Sequence, residues 1–260
     1  MINKRGQVTI FIIVAIVIIA VAVLAYFFYP KLTSKLISTS PTSFIQECLE
    51  NDFEKIVKTI SLNGGSYEPK FYAEYYDKDR KKNQVEYLCY TNEYYKTCVV
   101  QQPLLQNHIE DEIEKTIKGK VDECFDSLVN SYKKKGYSAN LEKNGYEANL
   151  LPEKIELSFD YPLTLTKGAS NKYEKFEIII DNNLYELISI ANSILEWESN
   201  YGDADISGYM NIYHWLKIER SKETGATKIY TLTDRDSDDK FRFASRSVVF
   251  PEGYGIGEIF

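Results

Sequence analysis

Lys4-Arg5-Gly6-Gln7-Val8-Thr9 leads straight into Ile10-Phe11-Ile12-Ile13-Val14-Ala15-Ile16-Val17-Ile18-Ile19-Ala20-Val21-Ala22-Val23-Leu24-Ala25-Tyr26-Phe27-Phe28-Tyr29, an uncharged run closed by Pro30. From Val8 to Tyr29 it is 22 residues long. As a helix it rises about 33 Å, which matches a hydrocarbon core of about 30 Å. A cleaved secretory signal has an apolar core of about 7–15 residues before a small-residue site. This run is longer and ends in four aromatic rings, so it is expected to stay in the chain as a transmembrane helix in contact with membrane lipid. Lys4 and Arg5 put the short end in the cytoplasm, against a weaker opposing pull from Lys31 and Lys35. The helix has no Asp, Glu, Lys, Arg or His, which argues against a proton relay or ion pathway through it.

Lys4-Arg5-Gly6 before Gln7, with the apolar run beginning almost at once, resembles the class III signal of archaeal type IV pilin-like proteins. The resemblance covers about 30 residues. It implies a leader over 1–6, cut by a prepilin peptidase between Gly6 and Gln7, and a helix over 7–30 that sits in the membrane or packs with its copies in a filament core. One position departs from the pattern: many pilins carry Glu at the fifth mature residue, and here that residue is Phe11. An uncleaved single-pass anchor is the alternative.

Beyond residue 30 the chain holds 29 basic and 38 acidic residues, a net charge of −9. Such a surface repels nucleic acid. The 21 tyrosines of the whole chain suit an outer surface that needs apolar area with a hydrogen-bonding tip. None of the asparagines stands in an N-x-[ST] acceptor, so N-glycosylation is not expected.

All four cysteines, Cys48, Cys89, Cys98 and Cys124, lie beyond the apolar run. An even number in an exported domain points to two disulfides with three possible pairings. A hairpin whose loop is Asn92-Glu93-Tyr94-Tyr95 would set Cys89 opposite Cys98, leaving Cys48 for Cys124. On the chain-entropy account the short bridge contributes about 2.5 kcal/mol and the long one about 4.5 kcal/mol. Zinc would need tighter spacing such as C-x-x-C.

The segment 31–41 is rich in Ser and Thr between two prolines and reads as a hinge. From Thr42 to Leu62 the apolar residues recur at helical spacing, with Gly64-Gly65 as the stop. Tyr67 to Tyr76 and Gln84 to Gln101 read as strands around a charged turn at 77–83. Ile109 to Tyr132 is again helical, with Gly119 predicted to break it in two. Tyr146 to Leu151, Lys154 to Thr166 and Tyr173 to Ile180 are strand candidates, and Leu184 to Leu195 forms an apolar helical stripe capped by Asp181 or Asn182. Ile212 to Glu219, Thr227 to Thr233 and Lys240 to Phe250 predict an antiparallel meander. The fold class expected is mixed α+β, in two parts: a helix-hairpin-helix half over 42–136 and a sheet-rich half over 137–260.

Signatures of catalysis are missing: no G-x-S-x-G, no H-E-x-x-H, no P-loop, and only two histidines, far apart. His108, beside Glu110 and Asp111, reads as half of a surface ion pair, and His214 as a half-buried packing residue. The nearest approach to a metal site is Asp203-Ala204-Asp205-Ile206-Ser207-Gly208. It matches four positions of a calcium loop, but His214 stands where the bidentate Glu belongs. Asp234, Asp236, Asp238 and Asp239 read as a solvated hairpin turn. Gly253-Tyr254-Gly255-Ile256-Gly257 lacks the strand and helix a nucleotide loop requires.

No cofactor and no enzymatic activity are expected. The composite expectation is a cell-surface structural or adhesive protein, in its sharpest form a pilin-like filament subunit that self-assembles through its N-terminal helix. A membrane-tethered binding module using tyrosines such as Tyr72, Tyr75, Tyr76, Tyr94 and Tyr95 is the alternative. An extracytoplasmic hydrolase is third and would need convergent carboxylates.

Overall fold

The computed structural model describes residues 14, 17–19, 40–76 and 80–249. The chain divides into two units, Met1–Ser43 and Phe44–Phe260. The expected leader, Lys4, Arg5, Gly6 and Gln7 included, lies outside the described residues, as does the glycine-rich C-terminal segment. Of the expected 7–30 helix only Val14, Val17, Ile18 and Ile19 are described, and all four are helical and exposed. Among the described residues no helix is long and apolar enough to cross a membrane.

Helix α1 (Pro41–Leu62) starts where Ser40 Oγ accepts the Ser43 amide and proline takes the first helical position. Its stripe of Ile45, Leu49, Phe53, Ile56, Val57 and Ile60 is buried. The chain leaves α1 through Gly64 and Gly65, both at positive φ. A β-carbon at Gly64 would come within 2.9 Å of Glu86 Cβ, so only glycine fits there. Helix α2 (Leu105–Lys134) runs unbroken through Gly119, contrary to the predicted division. A glycine costs about 1 kcal/mol in a helix, less than one buried Ile or Leu contributes at about 1.5–3 kcal/mol. Ile113, Ile117, Val121 and Leu128 on the two sides of it are all fully buried.

Three sheets complete the second unit. The largest has the order β1 (Tyr72–Tyr76), β2 (Lys82–Tyr90), β12 (Lys240–Arg246), β11 (Thr227–Asp234), β10 (Leu216–Lys222), with the short β3 (Val99–Val100) also on β2. The second is β4 (Ser138–Leu141), β7 (Leu163–Lys167), β8 (Ala169–Tyr173), and the third is β5 (Tyr146–Leu151), β6 (Lys154–Phe159), β9 (Phe176–Asp181). Helix α3 (Leu184–Tyr201) and the short α4 (Ile206–Ile212) lie between β9 and β10 in sequence. The class is α+β, and among the described residues the strand pairing is antiparallel except for β12 against β2, which is parallel.

That parallel pair joins the beginning of the unit to its end, so the large sheet draws strands from both sides of the division expected at residues 136 and 137. The long candidate 154–166 is two strands belonging to different sheets, separated at Asp160-Tyr161-Pro162. Ile212 ends α4 instead of opening β10, and His214 sits exposed in the turn between them, not packed in a strand. Around Cys89 the hairpin register differs from the expected one: Cys89 faces Val100 and Tyr90 faces Val99. Lys96 bridges to Val248, and the Cys98 amide donates to Ser247 Oγ, so residues 96–98 follow the chain's end and not β2.

The two faces of the large sheet are unlike. Leu88, Leu216, Ile218, Tyr230, Leu232, Phe241 and Phe243 belong to the main core with the stripe of α3. On the opposite face a separate small cluster forms from Ala73, Val85, Ile229 and Ala244, flanked by Tyr75 and Tyr87.

Candidate binding surface

The cysteines are paired Cys48–Cys124, with α-carbons 6.0 Å apart, and Cys89–Cys98, at 5.3 Å. The first staples α1 to α2 and leaves Cys48 exposed; the second is buried under the large sheet.

The calcium-like segment is used for other purposes. Asp205 caps α4, its Oδ1 accepting the amides of Ser207 at 3.0 Å and Gly208 at 3.2 Å. Asp203 Oδ1 is held by Arg220 at 2.5 Å and Lys228 at 3.3 Å. A calcium ion takes 6–8 oxygen ligands, and these carboxylates already serve a helix cap and an ion pair. Among the described residues no group of three or more His, Cys, Asp or Glu side chains is placed to hold a metal. The acidic turn is the hairpin between β11 and β12, with Asp236 and Asp238 exposed as expected, but its other two carboxylates have partners. Asp239 accepts the Asn183 amide and the Asn182 side chain, both at 2.9 Å, and Asp234 accepts the Asn183 side chain at 2.8 Å. Two carboxylates thus face the start of α3, where the helix dipole favours negative charge.

His108 has a partner that sequence spacing did not reveal. Ser66 Oγ donates to Glu86 Oε2 at 2.5 Å and lies 2.9 Å from His108 Nε2. The three residue types are those of a hydrolytic triad, but their order is wrong. A nucleophilic serine gives its proton to a histidine that is itself oriented by the acid. Here serine stands in the middle, so the acid touches the serine and not the histidine, and the relay order of a triad is not made. Burial pushes the Glu86 carboxyl up from its ordinary value. The group braces the segment after α1 against β2 and α2.

A second polar cluster lies under the large sheet. Glu198 of α3, fully buried, accepts from the Tyr230 hydroxyl, from Ser245 Oγ at 2.9 Å and from Lys228 Nζ at 2.6 Å. Lys228 Nζ also donates to the Gly202 carbonyl at 2.7 Å. Burial, with the Glu198 charge beside it, drives the Tyr230 hydroxyl far above the ordinary tyrosine value. With its polar atoms satisfied from within and no surface to approach by, this cluster fastens α3 to the sheet.

The outer face of the large sheet is different because it meets solvent. Its aromatic side chains are fixed by one another: Phe71 lies 4.6 Å from Tyr90 and 5.0 Å from Tyr87, and Tyr87 and Tyr90 lie 5.0 Å apart, centre to centre. The Arg242 guanidinium sits 4.5 Å over Tyr75, and that of Arg246 sits 5.6 Å over Tyr90. Arg242 Nε donates to Thr231 Oγ1 at 3.1 Å, and Arg246 donates to the carbonyls of Gly225 and Thr91. Tyr87 shares a hydrogen bond with Thr227 at 2.9 Å. Of the tyrosines singled out from the sequence, only Tyr75 is on this face. Tyr72 and Tyr76 point to the other side of β1, and Tyr94 and Tyr95 lie exposed on the β2–β3 loop. The missed residues, Phe71, Tyr87, Tyr90, Arg242 and Arg246, had one signal. In β12 the cations Lys240, Arg242 and Arg246 alternate with Phe241 and Phe243, the period of a strand with one wet face.

No protein-family model matches the chain, and neither a curated protein nor a solved structure matches it.

Proposed function

We propose that this is a cell-surface protein with a structural or adhesive role, held by the helix over 7–30 to membrane lipid or to copies of itself, its N-terminus cytoplasmic and its disulfide-stapled α+β unit outside the cell. The observation that carries this reading is the pairing of all four cysteines in a chain that carries a membrane-length apolar run. Disulfides persist where the surroundings are oxidising. In the sharper form, a prepilin peptidase cuts after Gly6 and the bared helix packs into a filament.

The solvent face of the large sheet favours one further reading, a membrane-tethered binding module, because rigidly held tyrosine and arginine side chains are the material of recognition surfaces. N-terminal sequencing of protein from native membranes, with electron microscopy of the cell surface, separates the two. A chain starting at Gln7 in filaments supports the pilin-like subunit; an intact Met1 on dispersed membrane protein supports the tethered module. Recovery of the chain from cytosol with four free thiols would overturn both.

A further inference from the structure

We propose that β9 pairs with the β9 of a second copy of this chain, edge to edge and antiparallel about a two-fold axis, so that two three-stranded sheets join into one. The inference concerns this sheet edge alone and does not depend on how the N-terminus is processed.

The register shows which backbone groups are free. The Asn182 amide donates to the Glu153 carbonyl at 3.1 Å, which makes that pair a bonded one in the β6–β9 ladder. Bonding alternates along an antiparallel pair. Phe176, Ile178 and Ile180 therefore bond to β6, while Glu177, Ile179 and Asp181 turn their amides and carbonyls outward. β9 is the last strand of its sheet. All three outward residues are exposed, and among the described residues no hydrogen bond reaches their backbone on that side. Two other edges of the unit are closed. Glu110 and Glu114 take the outward amides of β5. On β10 the Ile218 amide donates to the Met210 sulfur at 3.3 Å, and the Leu216 amide to the Tyr213 carbonyl at 3.0 Å. β9 has no such cover and no proline, two of the devices that keep an edge from pairing.

What guards this edge is charge, and the charges complement a second copy. Two β9 strands centred on Ile178 set Lys175 opposite Asp181 at both ends, Glu177 opposite Ile179, and Phe176 opposite Ile180. The outward-facing residues are then the bonded pairs, as the alternation requires. Moving the centre to Glu177 sets that carboxylate opposite its own copy, and moving it to Ile179 sets Glu177 opposite Asp181; like charges directly opposite are destabilising. Lys175 and Asp181 are both exposed, and among the described residues neither has an ionic partner in its own chain. Both members of each complementary pair lie on one strand, which is what pairing with a copy requires and a foreign strand would not. The two-fold uses the same patch on each copy, so the contact closes at a dimer.

The test uses the full chain in detergent, followed by sedimentation velocity from about 1 μM to about 1 mM. Carbodiimide coupling of amines to carboxylates, read by peptide mass spectrometry, gives the register. Lys175 and Asp181 lie about 20 Å apart along one strand, so an amide joining them forms only between copies. A concentration-dependent dimer with that cross-link is expected. I179P removes an outward amide that makes no bond in its own sheet, so it should leave the circular dichroism spectrum unaltered and weaken the dimer about tenfold or more. Should that spectrum change, the charge reversals decide. K175D and D181K should each weaken the dimer about tenfold, and K175D/D181K should restore it, which a damaged fold cannot imitate. No dimer over this range, a dimer indifferent to I179P and to both reversals, or a double reversal no stronger than the singles overturns the proposal. So does a dimer that lacks the Lys175–Asp181 cross-link and is lost on removing residues 250–260, which would make the C-terminal segment the occupant.

Discussion

Glu114 on α2 accepts the backbone amide of Ala148 on β5 at 2.8 Å, and one helical turn earlier Glu110 accepts that of Leu150 at 2.9 Å. Gln106, a further turn back, donates to the Leu150 carbonyl at 3.2 Å. Four helical residues rise about 6 Å and two strand residues about 6.8 Å, so a row of side chains at i, i+4, i+8 can stand in for a neighbouring strand. β5 is the edge of its sheet, and these helix side chains cover the open hydrogen-bonding groups through which edges pair with other molecules.

Removing that cover should have two effects. E114A leaves the Ala148 amide without a partner, a loss of about 1–3 kcal/mol, seen as a lower urea midpoint. E110A/E114A should in addition associate more with rising concentration than the unaltered chain by light scattering, as β5 becomes available. A double variant that is destabilised yet associates no more than the unaltered chain would limit the glutamates to local hydrogen bonding.

The Glu198–Lys228 pair predicts non-additive losses. Either single replacement, E198M or K228M, strands a charge beneath the sheet and should cost about 3–5 kcal/mol. E198M/K228M removes both charges and should cost clearly less than the sum. Additive losses in chemical denaturation would mean that the two side chains do not depend on each other. Y230F is the milder companion: it takes away one hydrogen bond to a charged acceptor, about 1.5–3 kcal/mol.

The legible parts of this fold were those with a local period. The stripe of α3 and the alternation in β5 are written in consecutive residues, and the existence of α1, α2 and the final meander could be read the same way. What could not be read is long-range pairing. Nothing in the residues of β2 names β12 as its parallel neighbour, because a buried strand such as Val85 to Cys89 suits any apolar partner. β4 and β8 were missed because Ser138-Ala139-Asn140-Leu141 and Ala169-Ser170-Asn171-Lys172 are polar edge segments with little β-branched content. The brace of Ser66, Glu86 and His108 joins residues up to 42 positions apart, beyond the reach of any spacing rule. The outer sheet face fell between the two cases: its alternation in β12 was visible, but the rings that hold Arg242 and Arg246 come from β1 and β2.

The disulfides should open in a fixed order. Cys48 is exposed, whereas Cys89 and Cys98 are both buried, and thiol exchange requires access to a sulfur. Mild reduction of the folded chain followed by alkylation and mass spectrometry should label Cys48 and Cys124 first, and Cys89 and Cys98 only once urea has unfolded the protein. Losing the bridge across 76 positions lowers stability by about 4.5 kcal/mol on the chain-entropy account. First labelling at Cys89 would mean that the β2–β3 loop opens before the helices part.

Glu86 predicts a pH dependence of definite sign. Burial raises its carboxyl above the ordinary value of 4.5, opposed by the Ser66 hydrogen bond, the His108 charge and Gln102, and assisted by Glu112. The folded state therefore keeps this proton at pH values where the unfolded chain has released it, and stability falls as pH rises through that interval. The contribution is fully present below 4.5 and lost above the raised folded value. E86Q keeps an acceptor for Ser66 but has no proton to lose. Urea midpoints of the two proteins measured in parallel should therefore diverge from about pH 4.5 upward, the native chain losing stability relative to E86Q until the difference levels off. A native chain that gains on E86Q with rising pH would show instead that Ser66 and His108 hold Glu86 as an anion, and the brace would then be an ion pair.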